Sequence, residues 1–67
     1  MTFRQHLDSK LKEDTPHGDV ARDLAADKRA KDLVTFAEVH EFLERHGNGT
    51  VCRIVREIED ERQALLR

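Results

Sequence analysis

The apolar residues of this chain recur at the three-to-four-residue spacing of a helix, and nowhere do they alternate with the two-residue period of a strand. The clearest stretch predicts a helix over 36–46, whose apolar face is formed by Phe36, Val39, Phe42 and Leu43. Thr35 and Glu38 flank its start with the spacing of a capping box. The pattern predicts an all-α fold, a compact bundle of four to five short helices.

Helix-start signals divide the rest of the chain. Thr2 and Gln5 form a second capping box, which predicts a helix over 3–12. Thr15-Pro16 predicts another over 16–27, because threonine caps a helix and proline fits its first position. Residues 28–34 have few apolar anchors and are predicted to be a loop with at most one short helical turn.

The last predicted helix covers 51–65, with Thr50 as its cap. Gly47 is predicted to end the preceding helix as a left-handed C-cap. The apolar faces together predict a single core composed of Phe3, Leu7, Leu11, Val20, Leu24, Phe36, Val39, Phe42, Leu43, Ile54, Val55 and Ile58.

The length of 67 residues predicts one domain, 1–67. A chain this short buries only about 60% of its unfolded surface, so a sizeable substrate cavity does not fit inside it. Any site must therefore lie on the surface or between copies. We expect no enzymatic activity, no cofactor and no small-molecule substrate.

The charge balance is 12 basic against 14 acidic residues, a net charge of −2, without the basic excess typical of nucleic-acid binding. Cys52 is the only cysteine, so no internal disulfide can form. The chain has no apolar run that resembles a signal peptide or a membrane span. These features predict a cytoplasmic protein that does not enter a membrane.

Asp19, Asp23 and Asp27 recur every four residues, and acidic residues can bind metal. A Ca²⁺ loop, however, places its oxygen ligands in an irregular loop with a closing glutamate. A row on a helix marked by Val20 and Leu24 favours a solvated or ion-paired face. Metal binding is the alternative.

The four histidines give no H-x-x-x-H pair. His46 and Cys52 lie on either side of a predicted turn, where they could approach as zinc ligands or as a thiol nucleophile and its base. The favoured interpretation of Cys52 is a small apolar residue at the rim of the core.

Lys28, Arg29 and Lys31 are the candidate nucleic-acid contacts, because they lie between two predicted helices as a phosphate-binding loop might. Lys10 and Lys12 could join them. The favoured interpretation is nevertheless a solvated loop, since the phenylalanines all lie on apolar faces and none is left as a platform for bases.

Three stretches resemble the YozE SAM-like family of small bacterial proteins: Thr2-Phe3 with Leu7, then Pro16-x-Gly18-Asp19-Val20-Ala21-x-Asp23-Leu24-x-x-Asp27, then Phe36-x-Glu38-Val39-x-x-Phe42-Leu43-Glu44. The resemblance covers about residues 2–46. Where that family usually has a Phe-Pro anchor, this chain has Ala30-Lys31, and residues 51–67 lack the aromatic usual in its last helix. The resemblance implies a fold similar to the sterile alpha motif and brings no catalytic residues.

The resemblance also indicates that the motif around Pro16 is structural. Thr15 and Pro16 would begin the helix, Gly18 would allow a close backbone approach, and Asp19 would satisfy helix amides. From residue chemistry, Asp23 and Asp27 would hold the following loop by accepting its N–H groups. We expect a non-enzymatic module that binds another protein; the alternative is a DNA- or RNA-binding module that uses the basic residues of 28–31.

Overall fold

Four helices make up this computed structural model, which describes residues 1–67: α1 (Phe3–Asp8), α2 (Pro16–Ala26), α3 (Phe36–His46) and α4 (Gly49–Leu65). There is no strand. The prediction of a small all-α bundle is therefore confirmed. The long α4 packs against each of the other three helices, and α1 also packs against α2.

Helix α1 is shorter than the predicted 3–12. Its capping box of Thr2 and Gln5 is present, but Ser9 ends the helix, and the Ser9 hydroxyl donates to the His6 carbonyl oxygen. The amides that follow donate to carbonyl oxygens only three residues earlier in the chain, as the Lys10 amide does to the Leu7 carbonyl oxygen at 3.0 Å. A serine that bonds to the backbone competes with helix continuation, so the chain tightens into turns.

The segment after α2 is the loop with one helical turn that was predicted. Asp27 leaves the helix with extended backbone, which also corrects the predicted helix end by one residue. The amides of Ala30 and Lys31 both donate to the Asp27 carbonyl oxygen at 3.0 Å. This turn places Ala30 in the core, where it is fully buried.

The connection between α3 and α4 differs from the prediction in two ways. Asn48, not Thr50, caps α4, and its side chain accepts from the Val51 amide at 2.9 Å. Gly47 is not left-handed; its φ is −104°. Space around Gly47 is also tight, since an added Cβ would lie 2.9 Å from Leu43 Cδ2 and 3.0 Å from the Leu43 carbonyl oxygen, and the Leu43 side chain would have to shift.

Eleven buried apolar residues form one core: Phe3, Leu7, Val20, Ala21, Leu24, Ala30, Val39, Leu43, Ile54, Val55 and Ile58. Nine of the predicted core residues are among them. The other three, Leu11, Phe36 and Phe42, are partly exposed and pack against it. Phe3 and Phe36 meet edge to face, with ring centroids 5.6 Å apart, a favoured aromatic geometry.

Candidate functional site

The start of α2 has the structural role that the sequence predicts. The Thr15 hydroxyl accepts from the Gly18 amide at 3.1 Å, and Pro16 occupies the first helical turn. Gly18 is buried against the preceding turn, where an added Cβ would lie 2.0 Å from the Glu13 carbonyl oxygen. Thr15, Pro16 and Gly18 therefore fix the start of α2 and seat it against the backbone of Glu13.

The three aspartates of 19–27 do not act as one row. Asp19 pairs with Arg22 and satisfies no helix amide, which corrects the prediction for that residue. Asp23 is exposed and has no side-chain hydrogen bond or ion pair. No cluster of three or more histidine, cysteine or acidic side chains has metal-binding geometry.

Asp27 holds the loop, as predicted. Its carboxylate accepts from the Arg29 amide at 2.8 Å and binds the Arg29 guanidinium at 3.0 and 3.2 Å. The hydrogen bonds from the Arg29 side chain are the larger cause, and the bond from the Arg29 amide the smaller one, that hold the pKa of Asp27 below its usual value. Asp23 has no such bond to the loop, so that part of the prediction is wrong.

The basic residues of 28–31 do not form one free cationic patch. Lys28 and Lys31 are exposed without an ion pair. Arg29, besides its pairing with Asp27, lies over the Phe42 ring at 5.3 Å from the centroid. Lys10, a further candidate for this patch, is 5% exposed and binds Glu61 instead.

The most developed surface feature is a groove that runs between α2, the 27–33 loop, α3 and the start of α4. It consists of two adjoining depressions that share Arg29, Phe42 and His46, and we name it the Phe42 groove. The outer depression, of about 310 Å³, is also lined by Leu33, Glu38, Glu41 and Arg45. The inner depression, of about 210 Å³, is also lined by Val20, Asp23, Leu24, Asp27, Leu43, Gly47 and Val51.

Phe42 lies between the two depressions and is partly exposed. Its ring lies 4.9 Å from the His46 ring, one helical turn further along α3. The Thr35–Glu38 capping box fixes the start of this helix, and the Glu38 carboxylate accepts from the amides of Thr35 and Val34. Those amide bonds lower the pKa of Glu38, so this carboxylate stays ionised in its structural role.

Arg4 fixes the far side of the loop. Its guanidinium donates to the carbonyl oxygens of Ala30, Leu33 and Leu24, at 2.9, 3.4 and 3.4 Å. The loop wall of the groove is thus held by one arginine from beneath and by Asp27 and Arg29 from outside. Sequence patterns missed Arg4 because its acceptors are backbone oxygens 20 to 29 residues away.

A polar cluster joins α1 to α4 on another side of the bundle. Glu61 accepts from the Lys10 ammonium at 2.6 Å and contacts His6 Nε2 at 2.7 Å. His6 and Lys10 are each only 5% exposed. The bond from Lys10, with that from His6, holds the pKa of Glu61 below its ordinary value despite partial desolvation. Every polar side chain in this cluster is satisfied, which indicates a structural clamp.

Cys52 is half-buried and packs against the core, and no hydrogen bond joins it to His46. His46 instead stacks on Phe42 in the groove. A small apolar role for Cys52 agrees with this placement.

Comparison with protein families, with curated proteins and with solved structures finds no match for this chain. None of the four helices combines the length and the apolar character that crossing a membrane requires.

Proposed function

We propose that this chain is a cytoplasmic, non-enzymatic module that binds another protein through the Phe42 groove. The observation that supports this proposal is the partly exposed Phe42 ring at the centre of an open groove. Aromatic and arginine side chains surrounded by polar groups are typical of the residues that dominate protein interfaces. Here Arg29 lies over the Phe42 ring, the His46 ring lies beside it, and Arg45 lines the same outer depression.

The small volume of the inner depression and the polar lining of the outer one favour a protein partner over a small molecule. Pockets that enclose drug-sized ligands usually measure about 300–1,000 Å³ and are mostly apolar. The inner depression is smaller, at about 210 Å³, and only two of the seven residues around the outer one are apolar. Such shallow depressions suit individual side chains of a partner surface.

The nucleic-acid alternative is less well supported. Arg29 is committed to Asp27 and Phe42, so only Lys28 and Lys31 remain free in that loop. Two lysines beside Asp27 and Asp32 offer few phosphate contacts. The kinship with the YozE SAM-like family stays a proposal that depends on the quoted motifs alone.

The test is a pull-down from the source cell with the immobilised chain and two matched arginine reversals. Arg45→Glu changes a groove residue whose side chain is 71% exposed and whose only ion pair is with the exposed Glu41, one helical turn earlier. Arg53→Glu makes the same change on the exposed side of α4, outside the groove. We expect Arg45→Glu to lose a captured protein that the wild type and Arg53→Glu both retain, with equal helicity by circular dichroism.

Capture that both variants retain would show that the groove is not the binding surface. Capture that nuclease treatment removes, and that requires Lys28 and Lys31, would support the nucleic-acid alternative instead.

A further inference from the structure

The inner depression of the Phe42 groove has an apolar floor. Val20, Leu24 and Leu43 are 5%, 3% and 5% exposed beneath it, and the half-buried Phe42 and Val51 complete the lining. Its volume of about 210 Å³ is below that of pockets for drug-sized ligands. The depression therefore has room for one long side chain with an apolar stem.

The charges around this floor have an excess of acid. Two carboxylates, those of Asp23 and Asp27, face a single guanidinium, that of Arg29. The Arg29 guanidinium is already bound by Asp27, so Asp23 is the uncommitted charge. The depression also lies beside the C-terminal ends of α2 and α3, where helix dipoles favour positive charge.

Arg29 shows that this surface accepts a guanidinium. The group lies over the Phe42 ring at 5.3 Å and binds the neighbouring carboxylate of Asp27. Aromatic faces and carboxylates together are the usual environment of arginine in protein interfaces. A second cation could approach Asp23 across the same apolar floor, whereas an acidic side chain would meet repulsion there.

We propose that the inner depression takes a basic side chain of the partner, arginine above all, with its stem on the apolar floor and its charge beside Asp23. Lysine and arginine combine these two parts, an apolar stem and a cationic end. The inference rests on the proposed function, and it specifies the chemistry of the partner.

The probe is N-acetyl-arginine amide, titrated into the ¹⁵N-labelled chain and followed by amide chemical shifts. Its neutral analogue, N-acetyl-citrulline amide, has nearly the same shape without the charge. We expect saturating shifts in residues 20–27 and 42–51, with a dissociation constant of order 1–10 mM for so small a ligand. Citrulline should bind about two- to fivefold more weakly, the usual effect of one exposed ion pair.

Two matched variants locate the charge. Asp23→Asn removes the uncommitted carboxylate. This side chain is exposed and makes no hydrogen bond or ion pair, so its loss should not affect folding. Asp60→Asn makes the same change at an exposed, unpaired site on α4. We expect Asp23→Asn to weaken arginine binding about two- to fivefold and Asp60→Asn to leave it unchanged.

Equal affinity for arginine and citrulline, no effect of Asp23→Asn, or no shifts in the groove would each overturn this inference. The outcome is separate from that of the pull-down. If Arg45→Glu abolishes partner capture while arginine amide does not bind, the groove is used but its occupant is not basic. If arginine amide binds but Arg45→Glu captures the partner protein as well as the wild type does, the proposed function fails.

Discussion

Replacing Gly18 with alanine tests how α2 is seated on the preceding turn. In an ordinary helix interior, glycine to alanine stabilises by about 0.5–1 kcal/mol, because alanine loses less conformational entropy on folding. Gly18 has no positive φ, so its backbone would tolerate alanine. The obstacle is space, since the new Cβ would lie 2.0 Å from the carbonyl oxygen and 2.8 Å from the carbonyl carbon of Glu13.

The Glu13 backbone cannot move away without losing other bonds. Its carbonyl oxygen accepts from Arg22 at 2.9 Å, and its amide donates to Lys10 at 3.0 Å. Forcing extra atoms into a packed site costs about 1–3 kcal/mol. After the gain in helix propensity, we expect a net loss of about 0.5–2 kcal/mol. The core of a chain of this length rarely supplies more than about 3–5 kcal/mol of net folding stability, so this loss is a large fraction of it.

Urea unfolding followed by circular dichroism measures this difference. With a slope of about 1 kcal/mol/M, the midpoint should fall by about 0.5–2 M. Gly49→Ala is the matched control, because a Cβ at the first position of α4 meets nothing within 4 Å. We expect that variant to be as stable as the wild type or more stable. A Gly18→Ala variant that gains stability as Gly49→Ala does would refute the steric reasoning.

Four further outcomes are expected. Thr15→Ala should cost about 0.5–2 kcal/mol through its lost cap, and Asp19→Ala less, at most about 1 kcal/mol for an exposed ion pair; urea midpoints that rank them the other way would contradict this. Because the pKa of Glu61 is lowered in the folded protein, the ionised carboxylate stabilises the fold at pH values above its ordinary pKa of 4.5. This stabilisation is lost as the pH falls through the lowered pKa of the folded state. The free energy of unfolding should therefore fall less steeply between pH 6 and 3 in Glu61→Gln than in the wild type. The same pH dependence in both proteins would contradict the role of Glu61 in the clamp. Fluorescence anisotropy at physiological salt should show no duplex DNA or single-stranded RNA binding tighter than roughly 10⁻⁴ M; micromolar binding removed by glutamate at Lys28, Arg29 and Lys31 would contradict this. The thermal midpoint should be the same with a chelator or with added Ca²⁺, Mg²⁺ or Zn²⁺, and a rise of many degrees at micromolar metal would restore the aspartate row as a metal site.

The elements that the sequence predicts best are those whose signals are local. Helix α3 begins and ends at the predicted residues, 36 and 46, because the Thr35–Glu38 capping box and the apolar face lie within the segment itself. The start of α4 is predicted less well. Asn48 and Thr50 are both good caps by residue type, and only the two-residue connection to α3 selects Asn48.

The contacts that the sequence predicts poorly join distant residues. His6 and Glu61 are 55 positions apart, and Arg4 binds carbonyl oxygens 20 to 29 positions away. One local signal for the α1 cluster was nevertheless present. His6 and Lys10 share a helical face with Phe3 and Leu7, so polar residues on an apolar face indicated buried, partnered groups.

The position of the Phe42 groove follows from how the four helices pack. Only α4 is long enough, at 17 residues, to contact all the others, and α3 packs mainly against it. A gap therefore remains where α3 faces α2, and the short connection of residues 47–48 closes its end. Arg4 and Asp27 keep the 27–33 loop from collapsing into the gap, because they hold the loop backbone from two sides. The groove is thus maintained by polar contacts outside the core, and its exposed rim residues, Asp23, Glu41 and Arg45, can vary in charge without a cost in core packing.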